Sequence, residues 1–409
     1  LMISFGIAGA LAFSGAAALS TLVFETPAHA NLVRLSSASF VLQSFILVPL
    51  AFARVQERSA LVVGATLVKL LIALILNLVF LVVMKLGVRG VFLSTLGANL
   101  IVALWLGWST IRQVGVRIRL DILRSLVRYG VPLIGVQAAT FTMTFSDRYF
   151  LQAAGGQTVV GLYNLAYQFG FLLLMLGFVP MEMIWGPRRF QVARGPHAQP
   201  LLSKAFRIVN VSVTSIGVGI ALFVEDLLRI MATPPFYPAA AVVPVILVAY
   251  VFHGWAMMHD IGVLVKERTE FLTIANWVAA TVALGAFALL VPRYHAFGAA
   301  VGAVLAFSVR WGMTYYFSQR LWPVRYDWLP VFKVLSIGVV TIAIGIALPG
   351  MPLRASIPLH LLLLGAYAVG VWNAAILTAD EKQWAARHVR RVLDTRRSGT
   401  TIDASRASP

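Results

Sequence analysis

The chain has 409 residues, 60% apolar and 12% charged, with 33 Lys and Arg against 15 Asp and Glu for a net charge of +18. A water-soluble domain carries roughly 25% charged residues, so this composition excludes a soluble globular protein, and the apolar content excludes a disordered chain. No cysteine is present, which rules out disulfides and thiolate metal sites. The basic residues sit in short segments between long apolar runs, a pattern that points to a membrane surface and not to nucleic acid.

A helix crossing a bilayer core needs about 20 apolar residues, because unpaired backbone groups are intolerable in lipid. The chain opens on Leu1 and Met2 and enters an apolar stretch with no charged leader or cleavage site, so its start reads as truncated. Twelve spans are predicted, at residues 2–24, 35–53, 60–84, 91–111, 131–152, 157–185, 205–228, 238–262, 271–291, 297–317, 330–348 and 357–377. A polar tail follows at 378–409.

Arg54, Arg58, Arg112, Arg188, Arg189, Arg194, Lys266 and Arg268 lie in even-numbered loops, and the tail carries seven further Lys and Arg from Lys382 onward. Odd-numbered loops hold only Arg34, Lys85, Arg89, Arg229, Arg293 and Arg354. The positive-inside rule therefore puts the even loops, the tail and both ends of this chain in the cytoplasm. All outer loops are short and none bears an acidic cluster of the kind that glycosyl transfer requires, so no enzyme activity, cofactor or metal is expected. Residues 112–130 interleave arginines with Val116, Ile118, Leu120, Ile122, Leu123, Leu126 and Val127 and read as an amphipathic helix on the inner leaflet. That helix and the tail would meet anionic lipid.

After the second span the chain reads Gln56-Glu57-Arg58-Ser59, and after the eighth Lys266-Glu267-Arg268-Thr269. About 30 residues on in each half, Val88-Arg89-Gly90-Val91 matches Ala296-Phe297-Gly298-Ala299 at nearly the same offset. Such short matches also arise by coincidence. As a repeat, they pair spans two to four with eight to ten, running in the same direction, so the relating axis lies along the membrane normal. The expected fold is all-α, a polytopic membrane protein of about twelve helices in two lobes. It comprises an incomplete four-helix lobe (1–111), a linker (112–130), a six-helix lobe (131–317), an extra helix pair (330–377) and the tail.

Tyr129-Gly130-Val131-Pro132 is followed by Asp147-Arg148, Gly155-Gly156 and Val160-Gly161-Leu162-Tyr163-Asn164-Leu165-Ala166. This stretch resembles the middle of the Wzx-like polysaccharide-biosynthesis flippases, which share a superfamily with the MATE exporters and the lipid II flippase. Phe236-Tyr237-Pro238-Ala239-Ala240 and the Lys266–Thr269 loop are similar to it as well. The resemblance implies a bacterial inner-membrane exporter of O-antigen or exopolysaccharide precursors. Its substrate would be an oligosaccharide linked to undecaprenyl diphosphate, with glycan-assembly proteins as candidate partners. Members have twelve to fourteen helices, and this chain looks like one lacking its first two.

A charge at bilayer depth costs at least ~2.5 kcal/mol and calls for a cavity or a partner. Gln137, Thr140, Thr144 and Asp147 recur at helical spacing on one face, with Arg148 beside them, and are substrate-cavity candidates. A structural ion pair is the alternative for Asp147 and Arg148. Lys69 and Arg310 lie deep in the third and tenth spans and suit a diphosphate, one as a point charge and the other as a fork. Pairing with an acid such as Asp260 or Glu182 is their alternative. Tyr250, His253, Met257 and Asp260 share a face of the eighth span; His253 and Asp260 are ion-coupling candidates, against a buried polar contact within the bundle. A MATE-type small-molecule exporter and a non-transporting flippase fragment are the competing functions.

Overall fold

The computed structural model describes residues 2–24, 26–56, 58–115, 135, 137–348, 352–374 and 376. Helix α1 runs Met2–Ser14 and α2 Ala16–Phe24; α3 is Ala30–Val55, α4 Ser59–Asn77 and α5 Val88–Val114. Then follow α6 (Asp147–Leu173), α7 (Val179–Ala193), α8 (Ala198–Met231), α9 (Ala239–His259), α10 (Ile261–Val265), α11 (Glu270–Leu321), α12 (Trp328–Ala347) and α13 (Leu353–Asn373). Residues 137–145 are also helical and lead into α6. The amphipathic segment at 116–130, the Tyr129–Pro132 motif and the tail from 378 onward lie outside the described residues.

Nine helices among the described residues are long and apolar enough to cross a membrane, or ten if the bent pair at Phe5–Ser14 and Ala16–Phe24 is one span. Two of the nine are too long for a single crossing, at 47 and 52 residues. Each breaks once. Gly156 carries φ 69 in α6, a conformation glycine adopts freely, and His295 carries φ 46 in α11. Across the first break Arg148 Nε donates to Asn164 and Tyr163 Oη to Asp147, residues roughly equidistant from Gly156. Across the second, Gly302 abuts Phe287 and Gly298 abuts Leu290. Both long helices are therefore helical hairpins folded at one residue. Gly298 and Gly302 act here as close-packing positions.

The chain divides into two compact units, Leu1–Arg124 and Ser125–Pro409. In the first, α3 packs on α5 and α1, around a small core of Ile46, Leu50, Ala65, Val102, Ala103 and Leu106. Leu61, Val62 and Ile72 of α4 pack against this core, while Val63, Leu67, Val68, Leu70, Leu71, Leu74 and Ile75 stay exposed, as lipid-facing side chains do. In the second, α8 is central: 56% of its apolar window is buried, the largest share among the spans. Helix α9 packs against both α6 and α11. Close approach depends on glycine at Gly254, where a methyl group would overlap the ring of Phe178.

The last two helices lie on α8. Gly338 of α12 sits against Thr214 and Val218, and Tyr367 Oη is 3.3 Å from Ser215 Oγ. His360 Nδ1 meets Asp226 Oδ2 at 2.7 Å, both side chains buried. At the start of α12, Trp328 stacks on the buried His259 ring at 5.7 Å, and Phe206, Tyr315 and Tyr326 surround the same imidazole at 4.5–5.1 Å. Burial holds the Tyr326 hydroxyl, in the connector between α11 and α12, well above its ordinary pKa, so it stays neutral.

Candidate functional site

Asp147 opens α6 and is 1% exposed. Its Oδ1 accepts from Arg148 Nη1 at 2.7 Å and from the Arg148 backbone N–H at 2.8 Å, while Oδ2 accepts from Tyr163 Oη at 2.7 Å. Arg148 also donates from Nε to Asn164 Oδ1 at 2.9 Å and from Nη1 to the Thr144 carbonyl at 2.8 Å. Its guanidinium carbon lies 4.7 Å from the Tyr167 ring centroid and 5.0 Å from that of Phe145. The hairpin at Gly156 makes this cluster, because it brings Tyr163 and Asn164 back alongside Asp147 and Arg148. Such an arrangement orients and neutralises the charges of the pair. Of the same stripe, Thr140 and Thr144 are half-buried and Gln137 is exposed.

From Tyr167 the polar path continues inward. Tyr167 and Tyr250 meet edge to face at 5.5 Å, Tyr250 lies 5.9 Å from His253, and His253 Nδ1 accepts from Arg310 Nη1 at 3.2 Å. His253 and Asp260 share a face of the eighth span, yet each has its own cationic partner. Asp260 Oδ1 accepts from Arg189 Nη1 at 2.8 Å, and Arg189 Nη2 stands 3.4 Å from Glu182 Oε1. The sequence places Arg189 among loop charges, whereas the structure buries it. A signal was present: Glu182 and Arg189 are seven residues apart and so share a helix face. The Asp226–His360 contact has no local signal, since its members are 134 residues apart.

Charge bookkeeping along this path decides what it can do. Arg148, Arg189 and Arg310 stand against Asp147, Glu182 and Asp260, so this path is close to neutral. It holds its own charges in place and offers little net attraction to an anion.

Lys69 differs. It is half-buried in the middle of α4, on the packed face that also carries Ala65 and Ile72. Among the described residues it has no hydrogen bond or ion pair. Lys69 belongs to the first unit and Arg310 to the second. Beside Lys69, a shallow apolar groove of ≈ 310 Å³ runs along the exposed side of α4, lined by Leu70, Leu74, Asn77 and Leu81 among others. Among the described residues, no group of three metal-ligating side chains occurs.

A family model described as polysaccharide biosynthesis protein matches residues 1–231. The chain belongs to the polysaccharide biosynthesis protein family. No curated protein matches it. Among solved structures, a lipid II flippase MurJ in an inward closed conformation aligns with TM-score 0.70 at 11% identity, covering 92% of this chain and 82% of that one. An inward-facing multidrug resistance MATE transporter of the MOP superfamily aligns with TM-score 0.61 at 16% identity, covering 78% and 79%. The crystal structure of a MATE point mutant aligns with TM-score 0.53 at 18% identity, covering 78% and 76%. These likenesses establish the fold: this member of the polysaccharide biosynthesis family is an all-α, multi-pass membrane protein with a MurJ- and MATE-like architecture.

Proposed function

We propose that the protein translocates a polyprenyl-diphosphate-linked oligosaccharide across a bacterial inner membrane by alternating access, without catalysing a covalent step. The observation that carries this reading is Lys69, a half-buried cation in the middle of an apolar span with no ion pair among the described residues. An ammonium group there costs at least ~2.5 kcal/mol, a cost that an arriving anionic head group offsets. The family match supports a glycan substrate. Both ends of the chain, and the arginine-rich ends of α3 and α5, would face the cytoplasm, where the diphosphate enters.

A small-molecule exporter of the MATE type is less well supported. Residues 2–24, 35–53, 60–84 and 91–111 contain no Asp or Glu to receive a cation. The test is reconstitution of the protein in vesicles loaded with a fluorescent lipid-linked oligosaccharide, followed by quenching of the glycan on the far side. Translocation that is lost in Lys69→Met, in a variant that still inserts, is expected. Translocation at the rate of protein-free vesicles refutes the proposal.

A further inference from the structure

At the arginine-bearing end of the first unit, α3, α4 and α5 frame a shallow cleft of ≈ 20 Å³. Its floor is apolar, with Leu61 and Leu106, and its rim is polar, with Gln56, Arg58, Ser109 and Gln113. The rim is braced. Arg58 Nη1 donates to Gln113 Oε1 at 3.2 Å, and Gln113 Nε2 donates to Ser109 Oγ at 3.3 Å. The Arg58 backbone N–H, bonded to the Ala53 carbonyl at 3.0 Å, fixes the turn that carries it. A guanidinium has five N–H donors, so one bond to Gln113 leaves a fork for a further acceptor.

Charge around the cleft is one-sided. Arg54 ends α3, and Arg112 ends α5 with its guanidinium 4.7 Å from the Trp108 ring centroid. From Thr26 to Gly115 the sequence contains a single acid, Glu57, which lies outside the described residues. Trp108 is itself exposed, as tryptophans in the interfacial belt are. At ≈ 20 Å³ the cleft is far below the roughly 300–1,000 Å³ of an ordinary ligand pocket, so neither a sugar chain nor a head group enters it, and a phosphate would rest on the rim.

A donor-rich, positively charged rim over an apolar floor, at the end of a transmembrane helix bundle, matches an amphiphile whose phosphate sits above its acyl chains. We propose that the rim of this cleft is a binding site for the phosphate head group of an anionic phospholipid, held by the exposed Arg58 fork with Arg54 and Arg112 adding charge. The site is separate from Lys69 and does not depend on the transport proposal.

The test is native mass spectrometry of the purified chain released from neutral detergent. Phosphatidylglycerol, phosphatidylcholine and inorganic phosphate serve as separate probes, and helicity is followed by circular dichroism. Phosphatidylglycerol should be retained in preference to phosphatidylcholine. Arg58→Gln should weaken it about fivefold, and Arg58→Gln with Arg112→Gln about 25-fold, given roughly equal contributions per basic side chain. Arg194→Gln, an exposed arginine of the second unit, should leave retention unchanged. Arg58→Lys keeps the charge and the fold but loses the fork, so an intermediate loss is expected. Equal retention of the two lipids, or full retention by Arg58→Gln, overturns the site. Displacement of phosphatidylglycerol by millimolar inorganic phosphate overturns the lipid assignment in favour of a small-anion site. Full affinity in Arg58→Lys overturns the bidentate role.

Discussion

Asp147 accepts three hydrogen bonds at 2.7–2.8 Å while 1% exposed, and Arg148 is its counter-charge. Truncation to Ala removes the carboxylate and leaves a guanidinium and the Tyr163 hydroxyl without their partner. Breaking a buried pair from one side costs about 3–5 kcal/mol, since the surviving charge is uncompensated. The Arg148 side chain is 23% exposed and retains Asn164 and the Thr144 carbonyl, which moves the expectation for Asp147→Ala to the lower end, about 3 kcal/mol. Tyr163→Phe removes one donor from a carboxylate that keeps its other two bonds, and should cost about 1–2 kcal/mol. The double change Asp147→Leu with Arg148→Met removes both charges and should be less damaging than Asp147→Ala alone. Reversible unfolding in mixed detergent micelles measures all three. If Asp147→Ala stays within about 0.5 kcal/mol of the parent, the pair is not structural and the reasoning fails.

Lys69→Met should abolish translocation without lowering the unfolding free energy, because an uncompensated charge leaves the bilayer interior; a fall in stability equal to the fall in transport would instead mark a structural lysine. Arg189→Ala leaves Asp260 and Glu182 facing each other without their shared cation and should cost about 3–5 kcal/mol, read by the same unfolding assay. Gly254→Ala should cost about 1–3 kcal/mol through overlap with Phe178, and the second change Phe178→Leu should recover part of it. Asp226→Ala should loosen the last helix selectively, seen as faster hydrogen exchange across α13 than across α9, because it strips the buried His360 of its partner.

The helical class and the places of the spans were legible in composition and in the length of the apolar runs, which lipid constrains strongly. The reversals at Gly156 and His295 fall in the gaps at 153–156 and 292–296 left between predicted spans, where Gly155-Gly156 and Pro292-Arg293 interrupt the apolar runs. Their tightness was not legible, because helix continues on both sides of a single residue. Among site residues, the shared helical spacing of Gln137, Thr140, Thr144 and Asp147 was legible but not their burial, which is full only at Asp147. Its partners Tyr163 and Asn164 were present in the same motif, but only the hairpin assigns them to Asp147 and Arg148. Arg310 meets His253 across two helices, and Asp226 meets His360 across 134 residues. Such long-range pairs are fixed by packing, which local pattern does not encode.

The two reversals also bear on biosynthesis. Gly155 faces the imidazole of His295, so both tips meet at one end of the second unit. The tip at Gly156 has no charged residue within four positions, so that pair of helices carries little hydrophilic mass through the lipid, whereas the tip at His295 must carry Arg293 with it. A one-residue tip leaves no slack: a short epitope inserted after His295 has nowhere to loop out without prising apart the helix legs, whereas one placed in the connector between α11 and α12 should be absorbed.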